Sequence, residues 1–353
     1  MTDRTEAPAA GTAQAEAAPA PLYSLRGKRV FVAGHRGMVG AALVRRLAAE
    51  ECEVLTAGRE TLDLRDPAAT LAFMTRARPD AVFMAAARVG GILANAARPA
   101  TFLYENLMIA ASVTEAARAA GVEKMLFLGS SCIYPRDAAQ PITEDALLTG
   151  PLEKTNEGYA IAKIAGLKLA ETYRAEHGCD FISAMPTNLY GPGDNYDPEG
   201  SHVLPALLRK AMEAKAAGRE SIEIWGTGSP RREFLHVDDC ADGLVHLMTR
   251  YSDAGTVNLG CGEDVSILEL ARLAMKVAGM TGEVTRDLSK PDGTPLKRLD
   301  VGRMAALGWR PSIGLEAGMQ ALHDALAAMD DPFGARGGAR GGARDGARGG
   351  APR

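Results

Sequence analysis

Five cysteines stand in 353 residues, at positions 52, 132, 179, 240 and 261, and no two of them form a Cys-x-x-Cys pair. An odd number without paired spacing argues against a disulfide framework and against a metal site, and points to a reducing compartment, the cytoplasm. Long apolar runs are also missing. The most apolar window, AVFMAAARVGGILANAARPA, is broken by Arg88 and Arg98 and makes a poor membrane span. The first residues, MTDRTEAPAAGTAQAEAAPAP, carry early acids and no apolar h-region, so no secretory signal is expected there. No repeat of solenoid period is present. Nor is there an excess of positive charge. The last twenty residues hold five Arg and one Asp; set against −4 for the whole chain, that leaves −8 for residues 1–333. The folded part therefore lacks the electrostatic footprint of a nucleic-acid binder. The repeated Arg-Gly-Gly tail could hold RNA non-specifically, or be a solvated tail without a role.

What is present is a chain of ordinary globular composition between two low-complexity ends. Residues 1–25 read as a disordered Ala/Pro-rich extension and 331–353 as a disordered Arg/Gly-rich tail. From Lys28 short apolar strands alternate with helical patterns: RVFVAG, then MVGAALVRRLAAEE; CEVLTAG, then LAFMTRAR; AVFMAAA, then a long helix from about Pro99 to Ala120; then KMLFLGS. Near-continuous apolar strands between helices predict an α/β fold, a Rossmann-type doubly wound parallel sheet, over 26–190. Beyond about 190 the alternation weakens. HVLPALLRKAMEAKAAG, DCADGLVHLMTRY, SILELARLAMKVAG and GLEAGMQALHDALAAM read as helices, and SIEIWG and TVNLG as short strands. This predicts a smaller, mostly helical substrate lobe over 191–330, with the chain free to cross back to the first lobe. Asp238 or Asp239 is expected to cap the helix that starts near Cys240.

Three motifs carry chemistry. AGHRGMVG places Gly34, Gly37 and Gly40 between the first strand and the first helix, where a backbone can approach a pyrophosphate. The second strand ends TAGRET, with Ala57 or Gly58 where an NAD site holds an acid. Arg59 follows, and Arg36 lies inside the glycine loop; two guanidinium groups and no acid suit the 2′-phosphate of NADP(H). NEGYAIAKIAG sets Tyr159 and Lys163 four apart on one helix face. A lysine there favours tyrosinate, which predicts a Tyr159 pKa lowered toward working pH. Ser130, in GSSCIYP at a strand end, would complete a proton-transfer site over a carbonyl.

Together with AAARVGGI, MPTNLYGPGDN, SHVLPALLRK, REFLHVDD and SKPDGTP, these segments resemble the extended short-chain dehydrogenase/reductases. Within them, the likeness is to the enzymes that epimerise and reduce a GDP-bound 4-keto-6-deoxy sugar. It spans roughly Lys28 to Leu326. The resemblance implies conversion of GDP-4-keto-6-deoxy-D-mannose to GDP-L-fucose, by 3,5-epimerisation and then NADPH-dependent reduction at carbon 4, in a homodimer built through first-lobe helices. It implies Ser130, Tyr159 and Lys163 as the reductase set, and Cys132 as base with His202 as acid for the epimerisation. The cofactor would be lined by Gly34, His35, Arg36, Gly37, Met38, Val39 and Gly40, by Arg59, by Leu128, Gly129, Ser130 and Ser131, by Lys163, by Pro186, Thr187, Asn188 and Leu189, and by His202. Lys210, with Arg209 as an alternative, and Trp225, Arg232 and Asp292 would hold the GDP-sugar. Asn106 fits a structural asparagine.

The chemistry agrees with this division. Hydrogens on carbons 3 and 5 flank the carbon-4 ketone and leave as an enolate, and inverting each centre needs a base on one face and an acid on the other. A thiol and an imidazole can both titrate near neutral pH, and the groups that polarise the ketone can also stabilise the enolate. Other readings stand beside these. Cys132 could fill the core, His202 could cap a helix, Trp225 could be core, and Arg232 could pair with Glu233. A related nucleotide-sugar epimerase or dehydratase shares the glycine loop and Tyr-x-x-x-Lys, although a dehydratase would show an acid pair where this chain has Ser131-Cys132. A silent dinucleotide sensor or a tail-driven RNA binder would need neither Tyr159 nor Lys163.

Overall fold

The computed structural model describes residues 21–198 and 200–333. Most of the two low-complexity ends lies outside the described residues. Order, however, extends past both expected boundaries. The Leu22 and Tyr23 amides donate to the Thr249 carbonyl, Leu25 is buried, and at the other end the Phe333 ring packs on Tyr196 and under the Arg209 guanidinium. In each case an apolar side chain beside a low-complexity segment finds a core to join.

The first half alternates strand and helix: β1 (Arg29–Ala33), α1 (Met38–Leu47), β2 (Glu53–Leu55), α2 (Pro67–Ala77), β3 (Ala81–Met84), α3 (Ile92–Ala97), α4 (Pro99–Ala119), β4 (Lys124–Leu128), α5 (Glu157–His177) and β5 (Asp180–Pro186). After it come β6 (Asn188–Tyr190), α6 (Val203–Ala216), β7 (Ile222–Trp225), β8 (Arg231–Arg232), β9 (Phe234–His236), α7 (Val237–Arg250) and β10 (Thr256–Leu259). The chain closes with β11 (Val265–Ser266), α8 (Ile267–Val277), β12 (Val284–Asp287), β13 (Leu296–Lys297), α9 (Gly302–Ala306) and α10 (Leu315–Ala327). Six strands form one parallel sheet in the order β10-β5-β4-β3-β1-β2. Its apolar strands are buried on both faces: one core sits under α1 and α7, the other under α2, α4 and α5.

A third core gathers α6, α8, α10, β7 and Tyr190 into a smaller lobe, held by short sheets β7-β12, β11-β8-β13 and β6-β9. The helix DCADGLVHLMTRY belongs elsewhere: α7 packs against α1 on the large sheet, and the Arg46 guanidinium bonds Asp242 at 2.6 Å across that contact. The expected cap of α7 also differs. The helix begins three residues earlier than Cys240, and the buried His236 caps it, its Nδ1 accepting from the Asp238 amide at 3.2 Å. Asp239 instead accepts from the Ser312 and Ile313 amides, fixing the approach to α10.

Sheet order reverses where the chain leaves β2 and returns as β3 on the other side of β1. The crevice at the carboxyl ends of β1 and β3 is the place such folds bind ligands. Two glycines build its wall. Gly34 has φ +87°, and a β-carbon there would lie 2.7 Å from Ala86 Cα. At Gly40 a β-carbon would meet the Gly34 carbonyl oxygen at 2.1 Å, so only glycine lets α1 come this close to β1.

Candidate active site

The glycine loop turns at Gly34, where the Gly37 amide bonds the Gly34 carbonyl at 2.9 Å, and α1 starts at Met38, right after the loop. This cradle fits a dinucleotide: the missing β-carbons leave room for a pyrophosphate, and the helix N-terminus favours its charge. His35, Met38 and Val39 are half-buried in the loop and Arg36 and Arg59 are exposed at its rim. The expectation that this rim holds no acid is corrected. Glu60 reaches back to Arg36, Nη1 donating to Oε2 at 2.7 Å. Its carboxylate pKa is held down by that guanidinium. Across the crevice Leu128, Gly129 and Ser131 are buried at the end of β4, and the Gly129 amide bonds the Ala184 carbonyl at 2.8 Å. Pro186 and Thr187 are buried beside them, with the Thr187 amide on the Leu259 carbonyl at 3.0 Å and the Asn188 amide group on the Glu233 carbonyl at 2.8 Å, while Leu189 packs toward the first core.

Ser130, Cys132, Tyr159 and Lys163 come together at the same strand end. Ser130 caps a short 3-10 turn, its hydroxyl accepting from the Cys132 amide at 3.4 Å. The same hydroxyl interacts with the Tyr159 phenol and the Cys132 thiol. Lys163, one turn beyond Tyr159 on α5, is buried and donates to the Leu128 carbonyl at 2.7 Å; its Nζ lies 5.8 Å from the Tyr159 ring centroid. The expected lowering of the Tyr159 pKa is absent here. Burial, with the nearby Cys132, pushes the phenol well above its usual range, and Lys163 is itself pushed down to about 8 by burial. The ammonium is turned to a backbone carbonyl, so desolvation wins over the attraction a tyrosinate would feel. A phenol kept protonated is a proton donor.

Cys132 is half-buried and its thiol is pushed up by burial, opposed first by Lys297, then by Ser130 and Lys163. His202 precedes α6 at its N-cap position but makes no side-chain cap bond. The residue is exposed as a whole, yet surrounding protein lowers the imidazole pKa by desolvation. Cys132, Tyr159, His202 and Lys297 each combine accessible surface with desolvation by surrounding protein; Cys132 lies near Lys297, Lys163 and Tyr159, as their mutual electrostatic influence shows. The loop before His202 is held by the Gly91 amide on the Gly200 carbonyl at 3.2 Å, which ties it to the turn before α3. Asn106 clamps the preceding loop, accepting from the Arg88 amide at 2.8 Å and donating to the Arg88 and Phe102 carbonyls.

In the smaller lobe Trp225 is 59% exposed at the end of β7, so it is not core. Lys210 reaches the Glu223 carbonyl on that strand at 3.1 Å, whereas Arg209 is committed to Glu213 and the Tyr196 carbonyl. Asp292 faces Gly226 and accepts from the Thr227 amide at 2.9 Å. Arg232 does not pair with Glu233. Its Nη1 donates to the Arg231 and Thr294 carbonyls, and burial lowers its pKa, while Glu233 is buried among backbone amides. Lys297, which sequence reasoning missed, is its cross-strand neighbour through β8-β13 pairing. Two cations side by side suit a diphosphate. Among the described residues no group of His, Cys, Asp or Glu is arranged for a metal ion, and no helix is long and apolar enough to cross a membrane.

A parallel Rossmann sheet with a glycine loop at its switch point and a Tyr-x-x-x-Lys helix beside it is the architecture of a short-chain dehydrogenase/reductase. Residues 30–260 match the NAD dependent epimerase/dehydratase family. A GDP-L-fucose synthase from Sinorhizobium fredii is 54% identical over 87% of this chain and 98% of its own length; one from Escherichia coli is 49% identical over the same shares. A crystal structure of a GDP-L-fucose synthetase from Naegleria fowleri bound to NADP superposes with a TM-score of 0.79, covering 87% of this chain and 96% of that one at 27% identity. The chain belongs to the NAD dependent epimerase/dehydratase family and, within it, to the GDP-L-fucose synthases.

Proposed function

We propose that this chain converts GDP-4-keto-6-deoxy-D-mannose to GDP-L-fucose, epimerising carbons 3 and 5 and then reducing the carbon-4 ketone with NADPH. The observation that carries the reading is the position of Ser130, whose hydroxyl interacts with both the Tyr159 phenol and the Cys132 thiol. One oxyanion site then serves two reactions. During epimerisation Ser130 and Tyr159 hold the enolate oxygen, while Cys132 removes the carbon-bound proton and His202 supplies one from the other face. During reduction Tyr159 gives its proton to the carbon-4 oxygen. NADPH, when bound, supplies the hydride. Gly34, His35, Arg36, Gly37, Met38, Val39 and Gly40 hold its phosphates and adenine ribose, with Arg59 at the rim. Lys163, the residues at 128–131 and 186–189, and His202 line its nicotinamide half.

Trp225 stacks the guanine, Asp292 and Lys210 flank it, and Arg232 with Lys297 holds the diphosphate. The two lobes, 26–190 for cofactor and mainly 191–330 for substrate, meet at this site. A homodimer through α4 and α5 is supported by exposed apolar side chains on both helices, Tyr104 (64%) and Ile161 (42%). A cytoplasmic location suits the five unpaired cysteines. The test is NADPH oxidation by the purified protein with GDP-4-keto-6-deoxy-D-mannose and identification of the product sugar. Formation of GDP-L-fucose is expected; NADPH consumption with a different epimer as product would move the substrate to a related keto-sugar.

A further inference from the structure

The loop between β6 and α6 delivers His202, and it closes on itself. The Asp197 amide donates to Asn195 Oδ1 at 3.0 Å, the Gly200 amide to Asp197 Oδ1 at 2.8 Å, and the Ser201 amide to the Asp197 carbonyl at 3.0 Å. Residues 195–201 therefore move as one unit. His202 makes no side-chain cap bond of its own, so the seat of this unit decides where the imidazole lies. Tyr196 is its anchor: the ring is buried in the third core, and its carbonyl accepts from Arg209 Nη1 at 2.8 Å. We propose that Phe333 is a positioning residue for His202, fastening this loop to α6 from outside so that epimerisation depends on it while cofactor binding does not.

The chain leaves α10 at Ala327, runs exposed over 328–331, and turns back, with Pro332 and Phe333 half-buried. The Phe333 ring meets the two residues that the anchoring bond joins. Its centroid lies 5.7 Å from that of Tyr196, and the Arg209 guanidinium carbon sits 5.0 Å from it. Arg209 is two turns beyond His202 on α6, and its Nε is held by Glu213 at 2.7 Å. A charged hydrogen bond near the surface competes with water, and a ring laid over it removes that competitor from one side. The guanidinium gains the ring face, and the two rings gain each other. Phe333 thus closes a clamp of Tyr196 and Arg209 on the loop. The catalytic part of this role rests on His202 being the epimerisation acid; the seating of the loop does not.

Backbone amide exchange, followed by mass spectrometry on the full chain without substrate, reads the loop directly. In Phe333→Ala, peptides covering 195–202 should exchange about three- to tenfold faster, while peptides from β1, β4 and α5 keep their wild-type rates. With GDP-4-keto-6-deoxy-D-mannose in heavy water, deuterium uptake at carbons 3 and 5 should fall by a similar factor, and NADP+ affinity should stay within about twofold of wild type. Phe333→Tyr keeps the ring and should restore both rates. A chain ending at Phe333 should match wild type and one ending at Pro332 should match Phe333→Ala, which separates the ring from the Arg/Gly-rich residues after it. Unchanged protection of 195–202 in Phe333→Ala overturns the proposal. So does carbon-bound uptake at the wild-type rate from a loosened loop, a parallel loss of NADP+ affinity, or a defect that Phe333→Tyr does not recover. Absence of carbon-bound uptake in the wild-type protein would instead remove His202 as epimerisation acid, with amide exchange still deciding whether Phe333 seats the loop.

Discussion

The Lys163 ammonium donates to the Leu128 carbonyl at 2.7 Å, joining α5 to the last residue of β4. One bond thus fixes the helix that carries Tyr159 against the strand end that carries Ser130. Lys163→Met should remove both the bond and the buried charge, lowering the reductive step on the order of 100-fold or more. Because burial brings the Lys163 pKa down to about 8, kcat/KM for reduction should fall as pH rises through that value. Lys163→Arg, which stays charged, should move this basic limb upward. A pH profile of NADPH oxidation checks both; an unchanged limb in Lys163→Arg assigns it to another group.

Tyr159→Phe should stop reduction while leaving proton exchange at carbons 3 and 5 partly intact, since Ser130 still faces the enolate oxygen. Deuterium uptake from heavy water, read beside NADPH oxidation, separates the two reactions. Undiminished oxidation would remove Tyr159 from proton donation.

Cys132 has its thiol raised by burial and pulled back first by Lys297. Cys132→Ser should keep cofactor binding and lose most solvent exchange at carbons 3 and 5, and full deuterium uptake would end its assignment as base. Lys297→Met should raise the thiol pKa, so that alkylation of Cys132, corrected with the Cys132→Ser protein, requires higher pH than in wild type. Alkylation with the wild-type pH dependence would leave Lys297 with the diphosphate alone.

The parallel sheet was legible because strands buried on both faces must be apolar along their whole length, as AVFM and KMLFL are. The glycine loop and Tyr159-x-x-x-Lys163 were legible because their geometry is local. Lys297 was not, because only β8-β13 pairing brings it beside Arg232, far away along the chain. The Glu60–Arg36 pair was hidden for a different reason: the acid is displaced two residues from the expected position and returns by folding over a glycine. The lowered Tyr159 pKa failed because sequence gives the neighbour but not its direction, and Lys163 turns to a carbonyl. The six-residue helix α3 was hidden inside an apolar window with no cap to mark it.

Glu233 joins the two lobes through a buried carboxylate that accepts from the amides of Cys261 at 2.7 Å, Gly262 at 2.8 Å and Leu299 at 2.8 Å. Its backbone carbonyl receives the Asn188 side chain, so the same residue positions part of the cofactor wall. Glu233→Ala strands three amide donors, each costing on the order of 1–3 kcal/mol. Urea unfolding should show a loss of roughly 3 kcal/mol or more. A loss below about 1 kcal/mol would mean that water or a shifted loop replaces the carboxylate.

His236 makes stability depend on acid. Its Nδ1 accepts from the Asp238 amide, which requires an unprotonated nitrogen, and burial lowers its pKa from 6.5 despite the opposing pull of Asp238 and Asp239. The unfolded chain therefore binds more protons than the folded one between the folded pKa and 6.5. Stability should rise with pH across that window and should be lost as pH falls through it, with no further loss from this group below the folded pKa. His202, also lowered by burial, adds a loss of the same sign. His236→Asn keeps an acceptor at the cap and does not titrate, so between pH 7 and 5 it should lose less stability than wild type by about 0.5–2 kcal/mol, the worth of an N-cap. Urea unfolding of both proteins at the two pH values measures the difference; equal losses would show that the cap bond survives protonation.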